Sequence, residues 1–302
     1  MVPLPVRDGL NPTRLVLPHD PESVARFTRT LDYVLHRFPD DAARLAEKVA
    51  AGEVVDGRGR PVTDRTAYEP RGFVFLYRDL PVEPDVPFEI RVLHRDDDLL
   101  VVDKPHFLAT IPRGAYVERS VLLRLRRDLD LPELAPAHRL DRVTAGVLLL
   151  TVRPQVRGAY QELFARREVR KTYEAVAPHD PALDLPTTVR SRILKRRGIM
   201  RAEEVPGEPN AESRVDVLEV DAARGLARYR LEPHSGKTHQ LRLHMFHLGV
   251  PIVHDNFYPD PYDVAPDDYT RPLQLVSRSL AFTDPLTGHE RRFETDRVLD
   301  VW

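Results

Sequence analysis

From Phe88 onward the chain is a succession of short apolar segments joined by polar connections of irregular length. That spacing restricts the fold more than anything else in the sequence. Phe88-Glu89-Ile90-Arg91-Val92 alternates apolar and polar side chains, the pattern of a half-buried strand. A turn at Asp96-Asp97-Asp98 leads into a second strand over residues 99–102, ended by Asp103-Lys104-Pro105. Residues 145–152 read as a buried strand from their Leu and β-branched content, and residues 172–176, 213–220 and 226–231 as further strands. Three segments in this region read as helices. One covers residues 121–129. A second begins at Pro154, suited to a first helical position, and repeats Val156, Tyr160, Leu163 and Phe164 at helical intervals up to Arg166. The third runs from a capping Thr238 to about Leu248, with Gly249 as its stop. Strands joined irregularly, with a few helices outside them, predict an α+β domain on a mostly antiparallel mixed sheet with peripheral helices.

Residues 1–86 read as a separate, small N-terminal α/β module, and residues 87–302 as the main domain. Helical periodicity over residues 31–49 is broken at Pro39, residues 52–61 are rich in turn formers, and residues 72–77 are strand-like. Pro81, Pro84 and Pro87 mark the linker. No apolar run approaches the roughly 18–20 residues that span a bilayer, and residues 1–13 lack the apolar core of a signal peptide. Cysteine is absent, which excludes disulfides and thiolate metal sites and fits a cytoplasmic protein.

The formal net charge is −2, unpromising for a nucleic-acid partner, but its distribution is uneven. Residues 113–201 hold 19 Lys and Arg against 10 Asp and Glu, whereas the rest of the chain holds 26 against 37. A local positive field steers a polyanion more than the total does. Within the basic stretch lies His138-Arg139-Leu140-Asp141-Arg142-Val143-Thr144-Ala145-Gly146, a polar loop that runs straight into the apolar strand at Val147. A carboxylate desolvated by that strand and flanked by guanidinium groups is suited to nucleophilic attack.

This segment resembles the H-R-L-D-x-x-T-S-G signature of the RluA-type RNA pseudouridine synthases. Four further segments follow the family's order. They are residues 98–105, residues 170–175 (Arg-Lys-Thr-Tyr-Glu-Ala), residues 235–244 (Ser-Gly-Lys-Thr-His-Gln-Leu-Arg-Leu-His) with residues 249–253 after them, and residues 275–288. The resemblance covers about residues 88–295. It implies the pseudouridine synthase catalytic fold, an enzyme that isomerises specific uridines of ribosomal or transfer RNA after flipping the base, and no cofactor or metal. On that footing Asp141 is the nucleophile. Tyr173 stacks on the target base and helps move its C5 proton, and Arg242 pairs with Asp141. Arg139 fills the space of the flipped base or holds its phosphate, and His138, Thr144 and Lys171 belong to the substrate-binding set. Lys195, Arg196 and Arg197, in the basic run between two matched motifs, are expected on RNA phosphates. His239, His244 and His247 lie close together, but without cysteine or a suitably spaced carboxylate they do not suggest zinc.

The N-terminal module is similar, more loosely, to the alpha-L RNA-binding module of such enzymes. The usual basic second helix is replaced by Asp40-Asp41-Ala42-Ala43-Arg44, and an extension that only packs is the other reading. The chain departs from the family pattern at Val143 and Ala145. It also has His106-Phe107 where the pattern reads Ala-Gly, and His254-Asp255-Asn256-Phe257-Tyr258-Pro259 where it reads Gly-Asp-x-x-Tyr-Gly. The alternative function is a catalytically inactive RNA-binding protein on the same fold, which would have lost the Asp, Tyr or Arg. The expected assembly is a monomer that acts on RNA without a membrane.

Overall fold

In the computed structural model, which describes every residue except 1, 8, 78, 80–82, 113–115 and 197, the chain divides into two units, Met1–Pro81 and Val82–Trp302.

The first unit contains β1 (Thr13–Val16), α1 (Pro21–Arg26), α2 (Thr30–Arg37), α3 (Ala42–Ala50), β2 (Val55–Asp56) and β3 (Phe73–Leu76), with the strands in the order β1-β3-β2. Pro39 separates α2 from α3, since its missing N–H and fixed φ end a helix. Val34, Leu45, Val49, Val54, Val74 and Leu76 fill the core beneath them. Three cations in or beside the helix pair are matched within the unit, Arg29 by Asp32, Arg44 by Glu47 and Asp79, and Lys48 by Asp79, whereas Arg37 lies against the Phe38 ring.

The second unit continues with β4 (Arg91–Arg95), β5 (Leu99–Lys104), α4 (Val121–Asp128), β6 (Ala135–Pro136), β7 (Ala145–Thr151), α5 (Pro154–Ala165) and β8 (Arg170–Pro178). It then adds β9 (Thr187–Ser191), β10 (Ile193–Leu194), β11 (Glu203–Glu204), β12 (Ala211–Asp221), β13 (Leu226–Pro233), α6 (Gln240–His247), β14 (Leu275–Thr283) and β15 (Glu290–Glu294). Among the described residues these strands form a ten-stranded sheet in the order β4-β5-β7-β14-β8-β13-β12-β9, with β15 beside β14 and β6 beside β7. The pairing is antiparallel except for β7 with β14, so the sheet is mixed and mostly antiparallel, in an α+β unit, as the sequence predicts. β10 and β11 form a separate hairpin.

The central strands β5 and β7 are buried along their whole length, the mark of a sheet covered on both faces. On one face Val147 and Leu149 meet Val156, Tyr160 and Leu163 of α5, with Leu99, Val101, Leu280 and Phe282 from neighbouring strands.

Three local expectations are corrected. The first strand begins at Arg91, not Phe88; Phe88 instead packs its ring on Phe107 and Tyr269. β5 does not stop at Val102 but carries Asp103 and Lys104 into the core. It does so because Arg297 grips the Asp103 carboxylate and backbone carbonyls take the Lys104 ammonium. Thr238 does not cap α6: the cap position is His239, in the left-handed region at φ 57° with no side-chain cap bond. Gly249, at φ 79°, does close that helix.

Candidate active site

The loop from His138 to Thr144 joins β6 to β7 at the middle of the sheet. A turn closed by the Thr144 amide donating to the Asp141 carbonyl (3.1 Å) places Asp141 at its start. Beyond the turn, Gly146 has φ 110°, and a Cβ there would lie 2.3 Å from the Ser277 carbonyl oxygen. Only glycine allows β7 to approach β14 this closely. Ser277 is the cross-strand partner of both Gly146 and Tyr173, so the Asp141 loop and Tyr173 are set out from one row of the sheet.

The loop is clamped from the segment after β5. The Lys104 ammonium is fully buried and donates to the carbonyls of Pro105 (2.9 Å), Leu108 (2.8 Å) and Arg142 (3.2 Å). All three of its protons are thereby used. Burial pushes its pKa well down, and the Asp141 carboxylate opposes that fall. His106 Nδ1 lies 2.7 Å from the Val143 carbonyl, and burial holds this ring's pKa at about 4, so it is neutral and donates through Nδ1–H. Thr110 Oγ1 donates to the Leu140 carbonyl (2.8 Å) and accepts from the Leu140 amide (3.1 Å). Three side chains therefore hold the backbone on both sides of Asp141.

The Asp141 carboxylate itself is 32% exposed, and Arg242 Nη1 stands 3.9 Å from Asp141 Oδ2. The sequence reading makes Asp141 the main partner of Arg242; the structure gives that place to Asp255. The Arg242 side chain is 2% exposed and grips Asp255 with two bonds, Nε to Oδ2 at 2.7 Å and Nη2 to Oδ1 at 2.5 Å. Asp255 also accepts from the amides of Phe257 and Tyr258, which shapes the turn after α6. The guanidinium lies 5.1 Å from the Phe257 ring centre and 5.5 Å from that of Tyr258. It is thus fixed before any substrate arrives, with Nη1 directed at Asp141.

Tyr173 is buried on β8. Burial pushes its phenol up to about 12, the Asp141 charge adds to the rise, and the Ser277 hydroxyl opposes it. At neutral pH this residue offers a ring and a hydroxyl, not a phenolate. His239 is held at about 4 by burial, against the pull of Asp141, and its Nδ1 lies 3.1 Å from the Tyr258 hydroxyl. Asp141, Tyr173, Arg242, Lys104 and His239 therefore share one electrostatic neighbourhood.

The other sequence candidates are placed differently. His138 is turned inward: its ring stacks on Phe164 at 4.5 Å, and Nε2 accepts the Leu149 amide at 3.1 Å. Burial lowers its pKa to about 3, with Lys171 adding to the fall. Thr144 is buried, and its amide closes the Asp141 turn. Lys171 is half-buried and donates to the Ser235 carbonyl (2.7 Å), its pKa lowered to about 8 by burial and by Arg167. Arg139 is exposed, and its guanidinium has no hydrogen bond or ion pair among the described residues.

Lys195 and Arg196 follow β10 in the hairpin, which packs on α6 through Ile193, Ala202, Leu243 and Tyr258. The Lys195 ammonium donates to the carbonyls of Arg196 and Ile199, and its charge reaches His239. Arg196 Nη2 stands 3.9 Å from Glu203. Arg197 lies outside the described residues. The three histidines suggest no common site. His239 faces Tyr258, His244 Nε2 lies 3.1 Å from Ser191 Oγ, and His247 pairs with Glu204 at 2.9 Å.

A family model described as RNA pseudouridylate synthase matches residues 98–247, a span that holds Asp141, Tyr173 and Arg242. The dual-specificity RNA pseudouridine synthase RluA of Salmonella typhi is 32% identical over 219 residues, covering 70% of this chain and 94% of that protein. The chain belongs to the RNA pseudouridine synthase family. The synthase is also similar to RluA of Escherichia coli K12, at 33% identity over 220 residues with the same coverage. It is 28% identical over 273 residues to RNA pseudouridine synthase 5 of Arabidopsis thaliana, covering 78% of this chain and 73% of that one. Among solved structures, human RNA pseudouridylate synthase domain containing 4 superposes with a TM-score of 0.53 at 26% identity, covering 69% of this chain and 88% of its own. The fold and the isomerase class follow.

Sequence reasoning missed Asp255, Thr110 and the part played by Lys104. Lys104 carried a signal, a lysine at the end of an apolar strand. Thr110 carried none, and Asp255 stood in a turn that looked merely divergent.

Proposed function

We propose that this synthase converts selected uridines of ribosomal or transfer RNA to pseudouridine, with Asp141 as nucleophile. The N1–C1′ bond of a flipped-out uridine breaks, the freed uracil turns on its site, and a C5–C1′ bond forms. The proton is lost from C5 and one is gained at N1, so no cofactor or outside energy source is required. A carboxylate suffices to hold the displaced fragment, and the base must leave its stack for the attacked atoms to be reached.

The observation that carries this reading is the convergence of an accessible Asp141 carboxylate with a buried, pre-fixed Arg242 and the Tyr173 phenol. Tyr173 stacks on the base. Its hydroxyl, beside the Asp141 charge, helps move the C5 proton. Arg139, exposed and unpaired among the described residues, follows the flipped strand. Lys195 and Arg196 meet phosphates, and Lys171 anchors the Ser235 backbone at the edge of the site. The relative named a dual-specificity RNA pseudouridine synthase supports more than one RNA substrate.

The N-terminal unit is an accessory element rather than the main source of RNA affinity, because Arg29, Arg44 and Lys48, in and beside its helix pair, are already matched by carboxylates. The absence of cysteine accords with work in the cytoplasm, and no described helix is long and apolar enough to cross a membrane. We assign it a monomeric state.

The test is Asp141→Asn assayed on RNA carrying tritium at uridine C5. The variant releases no tritium, while its RNA affinity stays within about tenfold of wild type because phosphate contacts dominate binding. Normal release would remove Asp141 from the chemistry.

A further inference from the structure

Two bulky residues beside the Asp141 loop occupy backbone conformations that suit glycine, Phe107 at φ 66° and His254 at φ 62°. Such outliers persist only where their surroundings over-determine them, and they concentrate at functional positions. Both stand where the sequence departs from the family pattern, and both line one small cavity with Arg142, Asn256, Tyr262 and Arg271. That cavity holds about 10 Å³, room for roughly one water molecule. No base enters it, so it forms a floor rather than a pocket.

Arg142, the residue after the nucleophile, rests on this floor. The Phe107 ring stacks on Phe88 at 6.1 Å and meets Tyr269 edge-on at 5.2 Å, which locks it in place. The Phe107 carbonyl accepts from Arg142 Nη1 at 3.4 Å. The Arg142 guanidinium lies 5.8 Å from the Phe107 ring centre and 4.6 Å over the ring of Tyr116. Among the described residues no carboxylate pairs with it, unlike Arg190, Arg230 and Arg278 in the same unit. An unneutralised planar cation lying on a tyrosine ring is a pre-ordered surface for a nucleobase. Guanidinium planes and aromatic rings both stack on the splayed bases of single-stranded RNA.

We propose that Arg142 and Tyr116, with Phe107 as their floor, form a stacking subsite for the base of a nucleotide adjacent to the target uridine, and so set the sequence context of modification. The inference rests on the proposed RNA reaction at Asp141 and adds a specificity element to it.

The experiment uses the full chain and a stem–loop RNA bearing the uridine whose carbon-linked form disappears when the gene is deleted. Each neighbouring nucleotide is replaced in turn by an abasic one. At one neighbouring position, wild-type kcat/KM falls by about five- to 150-fold, the span of one base–aromatic stack. Arg142→Lys keeps the charge but loses the plane, and Tyr116→Leu removes the ring. Both lose a similar factor on intact RNA and little more on the abasic one. Additive losses on the abasic RNA would overturn the subsite. So would an Arg142→Lys variant equal to wild type. An Arg142→Gln variant that changes only the salt dependence would point to a phosphate contact and also overturn it. Wild-type protein that binds the RNA yet forms no pseudouridine overturns the catalytic reading and the subsite with it. Wild-type activity with no dependence on either neighbouring base overturns the subsite alone.

Discussion

Thr110→Val tests whether the Asp141 loop is held as described. The replacement swaps a hydroxyl for a methyl at nearly constant volume, in a side chain that is almost wholly buried. Two hydrogen bonds vanish, Oγ1 to the Leu140 carbonyl and the Leu140 amide to Oγ1. Their other halves are backbone groups that cannot leave the loop. Each buried group left unpaired costs about 1–3 kcal/mol, so the pair amounts to about 2–6 kcal/mol, with about 3 kcal/mol as a working figure. In a domain of this size that lowers Tm by about 6–12 °C. If the loop instead loosens locally, the loss appears in kcat, because Leu140 is bonded directly to Asp141. Thr110→Ser keeps both bonds and is the control. The assays are urea unfolding at constant m-value and tritium release from uridine-labelled RNA. The clamp is refuted if the Val variant stays within about 0.5 kcal/mol of the Ser variant, the range of an ordinary surface change, and turns over at the same rate.

Asp255→Asn breaks the buried pair with Arg242 and is expected to destabilise the catalytic unit by about 3–5 kcal/mol. Adding Arg242→Met should recover part of that loss in calorimetry, and no recovery would mean the two side chains are not coupled. Lys195→Ala with Arg196→Ala should reduce the slope of log affinity against log salt by about 1–2, as two lost phosphate contacts require; an unchanged slope would take the hairpin off the RNA. Burial holds His106, His239 and His244 near 4 and His138 near 3, against about 6.5 in the unfolded chain. The unfolded state therefore takes up protons first. The stability from these rings is full above pH 6.5 and is lost as pH falls through 4, by up to about 1.4 kcal/mol per pH unit for each ring. Urea midpoints should fall between pH 7 and pH 5, and equal midpoints would mean the rings are protonated in the fold.

The strands and their mixed sheet were legible because β5 and β7 are short continuous apolar runs, while β13 alternates buried and half-buried side chains. Asp141, Tyr173 and Arg242 were legible because each sits in a continuous run of residues. Their partners were not. Arg242 finds Asp255 thirteen residues later, across a turn, and a pattern along the chain holds no term for that closure. His138 looked like a polar ligand, whereas its Nε2 serves a strand amide, a role that no side-chain chemistry announces. The first strand slipped by three residues because Phe88 satisfies alternation yet finds its partners in Phe107 and Tyr269. Nor does the extent of helix α6 disclose that Gln240 to Met245 are all buried, or that the Gln240 amide ties Ser235, Lys237, Glu212 and Ser213 together.

The contact between Gly146 and Ser277 acts as a ruler. Gly146, Ser277 and Tyr173 lie on adjacent strands, so the step from the strand that follows the Asp141 loop to the strand of Tyr173 is two inter-strand spacings, roughly 9.6 Å. Main-chain geometry sets that measure, and no rotamer can stretch it. The strand that receives the Asp141 loop and the strand that carries Tyr173 therefore keep their separation whatever the loops above them do.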